Sequence, residues 1–167
     1  MSLLRTRALP LIAAALALGA ASCSGELDLG EVPPIDFQRI TLTEGSANRY
    51  LVCTEDLCQR TQAHRQSPVF EVPANRLRYE WEQVVAKAPR TTIFAEDPAL
   101  NQVDYVQRST VVGFPDVITV RFVALGPNRS TFAILSRSTY GRSDFGINRA
   151  RIDDWLNQVA AAMPPAP

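Results

Sequence analysis

The chain has 167 residues, and its 17 lysines and arginines balance its 17 aspartates and glutamates, so the formal net charge is zero. No basic stripe interleaved with aromatic residues is present, which argues against a nucleic-acid partner. The three cysteines and the single histidine leave little material for a metal site or a catalytic triad.

Residues 1–22 have the pattern of a cleaved signal peptide. Arg5 and Arg7 form a short basic region, residues 8–18 form an apolar run with one proline, and small residues follow at 19–22. The run is too short for a permanent membrane span, which takes roughly 20 residues. The sequence therefore predicts export, cleavage and a mature protein in the periplasm.

Cys23 follows at the position where bacterial lipoproteins carry their lipidated cysteine, so the chain resembles an exported lipoprotein. The departure is Ala20, where that pattern usually has Leu, Val or Ile. Acylation of Cys23 leaves Cys53 and Cys58 as an even pair, as expected in an oxidising compartment. Ser24, rather than an aspartate, favours the outer membrane over the inner one. The alternative is ordinary cleavage that leaves Cys23 as a free thiol.

The rest of the chain divides into three parts. Residues 23–48 contain scattered Gly and Pro and no lasting apolar periodicity, which predicts a lipid-anchored tether. Residues 49–161 have the size of a single globular domain. Residues 162–167 are rich in proline and predict a frayed tail.

The domain begins with a short strand and a helix. Alternation over residues 70–72 predicts the strand, which Pro73 ends. Asn75 is placed to cap the helix, and Pro89 ends it. The apolar residues of this helix recur on one face, at Leu77, Trp81, Val84 and Val85.

Four strands and a second helix follow. Residues 91–95, 103–112, 117–125 and 131–138 are rich in β-branched and aromatic residues, with turns between them that predict an antiparallel meander. The last helix has the strongest periodicity in the chain, with apolar side chains at Ile152, Trp155, Leu156, Val159 and Met163. The order β-α-β-β-β-β-α predicts an α+β fold, a curved antiparallel sheet with two helices packed on one face.

The segment at residues 137–151, RSTYGRSDFGINRAR, resembles the signature of the bacterial and plastid family called domain of unknown function 1499. That family typically reads Arg-Ser, Gly, Ser-Asp, Gly, Asn-Arg and a further Arg. Trp81, Pro89-Arg90 and residues 114–117 lie where its members carry similar residues. The resemblance covers roughly residues 49–160 and implies no activity.

The two cysteines of the domain favour a disulfide. Cys53 and Cys58 are separated by four residues, and pairing is the default in an exported chain. The alternative adds His64 to give three soft metal ligands, although a fourth ligand is not evident.

The sequence assigns no catalytic residue. Any Ser-His-Asp arrangement depends on His64, the only histidine. The glycine-flanked segment 141–146 is not a nucleophile elbow, because Phe145 stands where Gly-x-Ser-x-Gly needs its second glycine.

The same segment suggests an anion site. If Asn148 caps the last helix, Arg149 and Arg151 lie in its first turn, where the helix dipole disfavours cations and free N–H groups point outward. Cations and open donors together form an anion site. Gly141 and Gly146 permit turns that aim further N–H groups inward.

The candidate ligand-binding residues come from this loop and from two adjacent strands: Arg142, Asp144, Asn148, Arg149, Arg121 and Arg137. The alternative is internal pairing, for example between Arg149 and Asp153. These observations predict a cell-envelope lipoprotein that is a non-catalytic binding or assembly module without cofactor or metal. Its partners are the membrane, through Cys23, and an envelope protein or an anionic small molecule. The alternative function is a hydrolase-like envelope enzyme acting on an anionic substrate, with Asp144 or His64 as general base.

Overall fold

The computed structural model describes residue 29 and residues 32–43 and 47–163. The predicted signal peptide, the predicted lipidation site Cys23 and the last four residues lie outside the described residues, as do several positions of the predicted tether. None of the described helices is long and apolar enough to cross a membrane.

Within the described residues, seven strands and two helices follow one another in the order β-β-β-α-β-β-β-β-α. The strands are β1 (Arg49–Cys53), β2 (Arg65–Gln66), β3 (Val69–Phe70), β4 (Thr91–Asp97), β5 (Gln102–Arg108), β6 (Pro115–Gly126) and β7 (Arg129–Ser138). The helices are α1 (Ala74–Val85) and α2 (Ile147–Ala162). The predicted order lacked β1 and β2, and the strand predicted at 103–112 ends earlier, at Arg108.

The seven described strands form one open sheet. Its order is β2-β1-β7-β6-β5-β4. Strand β3 pairs with β7 at Ser130 and Thr131, on the same edge of β7 where β1 pairs further along the strand. Strands β4 to β7 form the predicted antiparallel meander. The pair β1–β2 is parallel, so the sheet is mixed rather than wholly antiparallel as predicted. The crossover at residues 54–64 makes this pairing possible, because it carries the chain back alongside β1, where Arg65 pairs with Val52 and Gln66 with Cys53. The predicted α+β class, with two helices on the sheet, is confirmed.

Helix α1 begins one turn after β3. Pro73 is its N-cap, with extended φ and ψ of −63° and 153°, and the side chain of Asn75 does not cap the helix as predicted. Asn75 lies inside the first turn, where its Oδ1 accepts a hydrogen bond from the N–H of Arg76. The predicted apolar face is confirmed, since Leu77, Trp81, Val84 and Val85 are all buried.

Helix α2 begins at a glycine turn. Gly146 is the N-cap with φ of 82°, a left-handed conformation that glycine adopts without strain. Asn148, predicted as the cap, is instead a buried residue of the first turn. The apolar face predicted for this helix is buried at Ile152, Trp155, Leu156 and Val159.

Aromatic side chains fill the space between the helices and the sheet. The rings of Trp81 and Trp155 meet edge to face with centroids 5.6 Å apart, and Trp81 also lies 5.1 Å from Phe132 of β7. This core joins both helices to the same face of the sheet.

The other face of the sheet carries a second, smaller core. Phe37 is 1% exposed and packs with Leu51, Leu135 and the disulfide-bonded Cys53 and Cys58. The predicted tether spans residues 23–48, and the part of it around Phe37 therefore packs on the domain. This packing removes the apolar ring of Phe37 from water. The predicted disulfide is confirmed, with an S–S distance of 2.09 Å and a Cα–Cα distance of 6.1 Å.

Candidate functional site

Residues 139–146 join β7 to α2, and the carboxylate of Asp144 caps the helix start. Its Oδ2 accepts a 2.7 Å hydrogen bond from the backbone N–H of Asn148, and its Oδ1 accepts one of 3.0 Å from Gly146. The amides predicted to attract a ligand anion therefore hold the protein's own carboxylate. Its negative charge suits the positive end of the helix dipole.

Asn148 is fully buried and links α2, β7 and the residue before β1. Its Oδ1 accepts hydrogen bonds from Ser136 Oγ at 2.5 Å and from Arg151 Nη1 at 2.8 Å. Its Nδ2 donates to Ser138 Oγ at 3.1 Å and to the carbonyl oxygen of Asn48 at 3.2 Å. All four hydrogen-bonding positions of the side-chain amide are thus used inside the fold.

Arg151 is the buried cation of the same network, with 7% of its side chain exposed. Its Nη2 donates to Asp116 Oδ2 at 2.5 Å, and its Nε donates to Gln107 Oε1 at 2.5 Å. Its Nη1 donates to Ser136 Oγ at 3.0 Å in addition to Asn148. One guanidinium therefore connects β5, β6 and β7 to α2, and Asp116 supplies the opposite charge that a buried cation requires.

A cleft of about 470 Å³ opens beside this network. It lies between the β5–β6 loop, residues 109–114, and the β7–α2 loop, and we call it the α2 cleft. Network residues, two further arginines and several apolar side chains line it: Gln107, Asp116, Asp144, Arg151, Arg90, Arg108, Phe114, Tyr140, Phe145 and Ile147. Its volume falls in the range of about 300–1,000 Å³ that is typical of small-molecule sites.

Two arginines hold the β5–β6 loop at the mouth of the α2 cleft. Arg90 donates from Nε to the carbonyl oxygen of Arg108 at 2.9 Å and from Nη2 to Thr110 Oγ1 at 2.9 Å. Arg108 donates from Nη1 to the carbonyl oxygen of Gly113 at 3.2 Å. The two carboxylates of the lining are already engaged, one by Arg151 and one by the α2 amides. In the cleft, arginine side chains therefore lie beside apolar side chains.

Large apolar side chains lie on the two loops that form the cleft and at the start of α2, and we call the following set the apolar rim: Val111, Val112, Phe114, Tyr140, Phe145 and Ile147. All six are exposed. Phe114 and Tyr140 come from different loops, and their ring centroids lie 5.5 Å apart. The rim is therefore shared by the two loops that form the cleft.

The predicted binding residues lie in different places. Arg142 is exposed in the β7–α2 loop. Arg149 has 73% of its side chain exposed, and its Nε lies 3.5 Å from Asp153 Oδ2, the internal pairing that the sequence left open. Of the six predicted residues, all of which the structure describes, only Asp144 lines the α2 cleft.

Arg121 and Arg137 lie on the sheet face opposite the helices, according to the alternation of side chains along β6 and β7. Arg137 donates from Nη1 to Thr119 Oγ1 at 3.2 Å. Burial lowers the pKa of the Arg137 guanidinium, an effect that the carboxylate of Asp104 opposes and the charge of Arg49 reinforces. The structure therefore does not bring these two arginines together with the β7–α2 loop.

The disulfide loop leaves no thiolate for a metal. Cys53 and Cys58 are bonded to each other. His64 accepts a 3.0 Å hydrogen bond at Nδ1 from the backbone N–H of Leu51, and partial burial lowers its pKa from the ordinary 6.5. In the described part of the chain, no group of three or more His, Cys, Asp or Glu residues is placed to hold a metal ion.

Asp153 of α2 joins the helix to β1 and β2. Its Oδ1 accepts hydrogen bonds from Arg65 Nη1 at 2.6 Å and from Tyr50 Oη at 3.0 Å. Burial alone would raise the pKa of Asp153, but the hydrogen bonds from Arg65 and Tyr50 outweigh it, and the pKa is lowered. Burial raises the pKa of Tyr50, and the hydrogen bond that Tyr50 donates to Asp153 raises it further.

An open mixed sheet, two helices on one face and a cleft beside the second helix define an α+β fold with a cleft of small-molecule size. The chain belongs to the family described as Protein of unknown function (DUF1499), whose model matches residues 41–159. The resemblance carried by residues 137–151 is thereby confirmed. No curated protein matches the chain.

Solved structures show a distant likeness. The di-domain ARO/CYC BexL from the BE-7585A biosynthetic pathway is 13% identical, with a TM-score of 0.42 over 59% of this chain and 44% of that chain. The Zhui aromatase/cyclase from Streptomyces sp. R1128 is 16% identical, with a TM-score of 0.33 over 58% of this chain and 85% of that chain. The chain thus spans less than half of BexL, and similarity at this level carries no functional argument.

The sequence did not single out Asp116 or Gln107 as site residues, and it named Arg151 only as a first-turn cation of the last helix. A signal was present, because the family resemblance rests on both the segment with Asp116 and the one with Arg151. Spacing alone could not pair them, since they are 35 positions apart.

Proposed function

We propose that this protein is an exported, lipid-anchored, non-catalytic binding module of the cell envelope, and that the α2 cleft binds an amphipathic anionic molecule. The observation that carries the proposal is the composition of the cleft. Apolar side chains of the rim stand on both sides of a space of about 470 Å³, next to Arg90 and Arg108. A ligand with an apolar tail and a phosphate or carboxylate matches both kinds of surface.

The charges of the cleft support an anionic ligand rather than a cationic one. Asp116 is bound to Arg151, and Asp144 is bound to the start of α2. A cation would have to compete with these contacts. An anion meets Arg90, whose guanidinium carries five N–H donors, of which the hydrogen bonds to Arg108 and Thr110 use two. Arginine suits carboxylate and phosphate oxygens through paired hydrogen bonds.

The engagement of the two candidate bases supports a non-catalytic role. Both carboxylate oxygens of Asp144 accept backbone hydrogen bonds, and the Nδ1 atom of His64 accepts one from Leu51. His64 would have to give up the hydrogen bond from Leu51 in order to take a proton at Nδ1, and protonation of Asp144 would weaken its bonds to the start of α2. Substrate turnover that depends on Asp144 would instead establish the enzyme alternative.

The location belongs to the same proposal. The signal-peptide pattern and Cys23 support a chain that is cut before Cys23, acylated there and anchored facing the periplasm, with the outer membrane favoured. Intact mass of protein from the membrane fraction tests this directly. A mature chain that starts at Ser22, or at Cys23 without acyl mass, would contradict the anchor.

The ligand proposal can be tested by calorimetric titration of the purified full chain with dodecyl phosphate. Inorganic phosphate supplies the head alone, and dodecyl maltoside supplies the tail with an uncharged head. We expect saturable binding of dodecyl phosphate that is at least about tenfold tighter than either control, because both parts of the ligand contribute.

Two pairs of variants locate the binding. Phe114→Ser and Arg90→Gln should each weaken dodecyl phosphate binding by about tenfold or more, the effect of losing about 1.4 kcal/mol. Tyr79→Ser on α1 and Arg129→Gln at the start of β7 are matched controls at exposed positions away from the cleft. Equal binding by all four variants, or binding no tighter than to dodecyl maltoside, would overturn the proposal.

A further inference from the structure

Two loop tips expose apolar side chains almost completely. Val111, in the β5–β6 loop, is 93% exposed, and Phe145, in the β7–α2 loop, is 94% exposed. Phe145 also has a φ of 54°, a left-handed conformation that an aromatic residue rarely adopts. Strained backbone of this kind is concentrated at functional sites. Here it accompanies a phenylalanine ring that contributes almost nothing to the core.

Apolar side chains from the two loops meet at the α2 cleft. Phe114, Tyr140, Phe145 and Ile147 line it together, and the Phe114 and Tyr140 rings lie 5.5 Å apart. Val111 and Val112 belong to the same loop as Phe114, and Val112 is 56% exposed. Apolar side chains are usually scattered singly over a protein surface, whereas a contiguous group marks an interaction site.

Cationic side chains outnumber acidic ones at the apolar rim. Arg90, Arg108 and Arg151 line the cleft together with Asp116 and Asp144, and Arg142 is exposed in the β7–α2 loop. Arg151 pairs with Asp116, and Asp144 accepts hydrogen bonds from the amides of α2. Exposed apolar tips beside arginines suit the interface of a membrane, where tails lie below a layer of anionic headgroups.

We infer that the apolar rim inserts into the surface of an anionic lipid bilayer and that the ligand of the α2 cleft is an anionic membrane lipid. The inference rests on the proposed function, since it names the source and class of the amphipathic anion. The rim residues enter the acyl boundary, and Arg142 of the β7–α2 loop contacts headgroup phosphates. The cleft then opens directly onto the layer from which the lipid comes.

Two reporter variants of the full chain test the insertion independently of any lipid anchor. Phe145→Trp places an indole on the rim, and Leu125→Trp places one at another exposed apolar position, at the β6–β7 turn, as a matched control. Each is mixed with vesicles of phosphatidylcholine, alone or with phosphatidylglycerol, that carry brominated acyl chains. The native Trp81 and Trp155 are buried in the core and give a constant background.

We expect bromine to quench Phe145→Trp in vesicles that contain phosphatidylglycerol and to leave Leu125→Trp unchanged. Added salt and the substitution Arg142→Gln should reduce the quenching, because both weaken the attraction to headgroups. Equal quenching of the two reporters, or no dependence on phosphatidylglycerol, would overturn the inference. In that case the apolar rim would fit a protein partner or a second copy of the chain.

The outcomes separate this inference from the proposed function. Saturable binding of dodecyl phosphate without quenching of Phe145→Trp would leave the ligand site standing and remove the membrane contact. Quenching without dodecyl phosphate binding would retain the membrane contact and remove the cleft as a ligand site. In that second case the cleft has no ligand, so the proposal that its ligand is a membrane lipid fails as well.

Discussion

The guanidinium of Arg151 and the carboxylate of Asp116 meet at 2.5 Å at the floor of the α2 cleft, with only 7% and 14% of their side chains exposed. They lie on α2 and β6, and they hold the helix start against the sheet where the cleft opens. The shape of the candidate site therefore depends on a charge pair that is itself part of the fold.

Loss of Arg151 should strongly lower the free energy of unfolding of the domain. Arg151→Met leaves the Asp116 carboxylate buried without its partner, which typically costs about 3–5 kcal/mol. The double variant Arg151→Met with Asp116→Leu removes both charges and should lose less stability than Arg151→Met alone. Urea unfolding of the three proteins measures the differences. A double variant less stable than Arg151→Met would contradict this account.

Arg149→Met is the matched control, and it should change stability by less than about 1 kcal/mol, because exposed ion pairs contribute little. This arginine is two positions earlier on the same helix and has 73% of its side chain exposed. A large loss of stability in Arg149→Met would show that its pairing with Asp153 matters to the fold.

Asp144→Ala should destabilise the protein by about 1 kcal/mol, the usual effect of removing a helix cap. The substitution frees the N–H groups of Gly146 and Asn148 at the start of α2. Asp144→Asn keeps one acceptor and should lose less. Thermal unfolding of both variants gives the comparison, and equal stability of wild type and Asp144→Ala would count against the capping role.

Removal of the disulfide should cost about 2 kcal/mol, the value expected for closing a short loop. The paired substitution Cys53→Ser with Cys58→Ser, unfolded without reductant, should match the wild type unfolded with reductant. Alkylation of the unreduced native protein should modify neither residue. Ready labelling of both cysteines would mean that the disulfide is absent.

Acidification should weaken the fold through His64. Its folded pKa lies below the ordinary 6.5, so the unfolded chain binds the proton more tightly. The stability from neutral His64 is fully present above the unfolded pKa and is lost as pH falls through the folded pKa. Protonated Nδ1 cannot accept the N–H of Leu51.

Urea unfolding between about pH 7 and about pH 5 measures this effect, because histidine titrates in that window. His64→Asn keeps an acceptor for Leu51 and does not titrate, so its stability should fall less over the same range. Asp153 acts at lower pH, since its pKa is lowered from 3.8. Identical pH profiles of wild type and His64→Asn would rule out the His64 contribution.

The elements that periodicity predicted best are those with one buried face. The i, i+3, i+4 pattern of Ile152, Trp155 and Leu156 identified α2, and the structure buries all three. Strand β1 was missed because it is buried on both sides, with Tyr50 facing the helices and Leu51 facing Phe37. A short apolar run without alternation gives no periodic signal.

The roles of individual residues at the start of α2 were harder to predict from the sequence. The helix dipole argument treats Arg149 and Arg151 alike, but two positions along a helix turn the side chain to nearly the opposite side. Arg151 therefore meets Asp116 in the interior, while Arg149 faces solvent. Asp144, predicted as a ligand-binding residue, caps the helix, because an aspartate before a glycine turn is placed to accept amide hydrogens.

The pairing of β1 with β7 ties the first described strand to the last. Arg49 lies opposite Arg137, and Val52 lies opposite Ile134. Because β7 is the shared neighbour of β1, β3 and β6, a chain that stops before Arg129 lacks the strand that joins them. Strand β6 then pairs only with β5, β1 pairs only with β2, and β3 loses the strand it pairs with. Such high contact order slows folding, since distant segments must meet before the sheet can close. During synthesis, the complete sheet therefore cannot form until the C-terminal third of the chain is available.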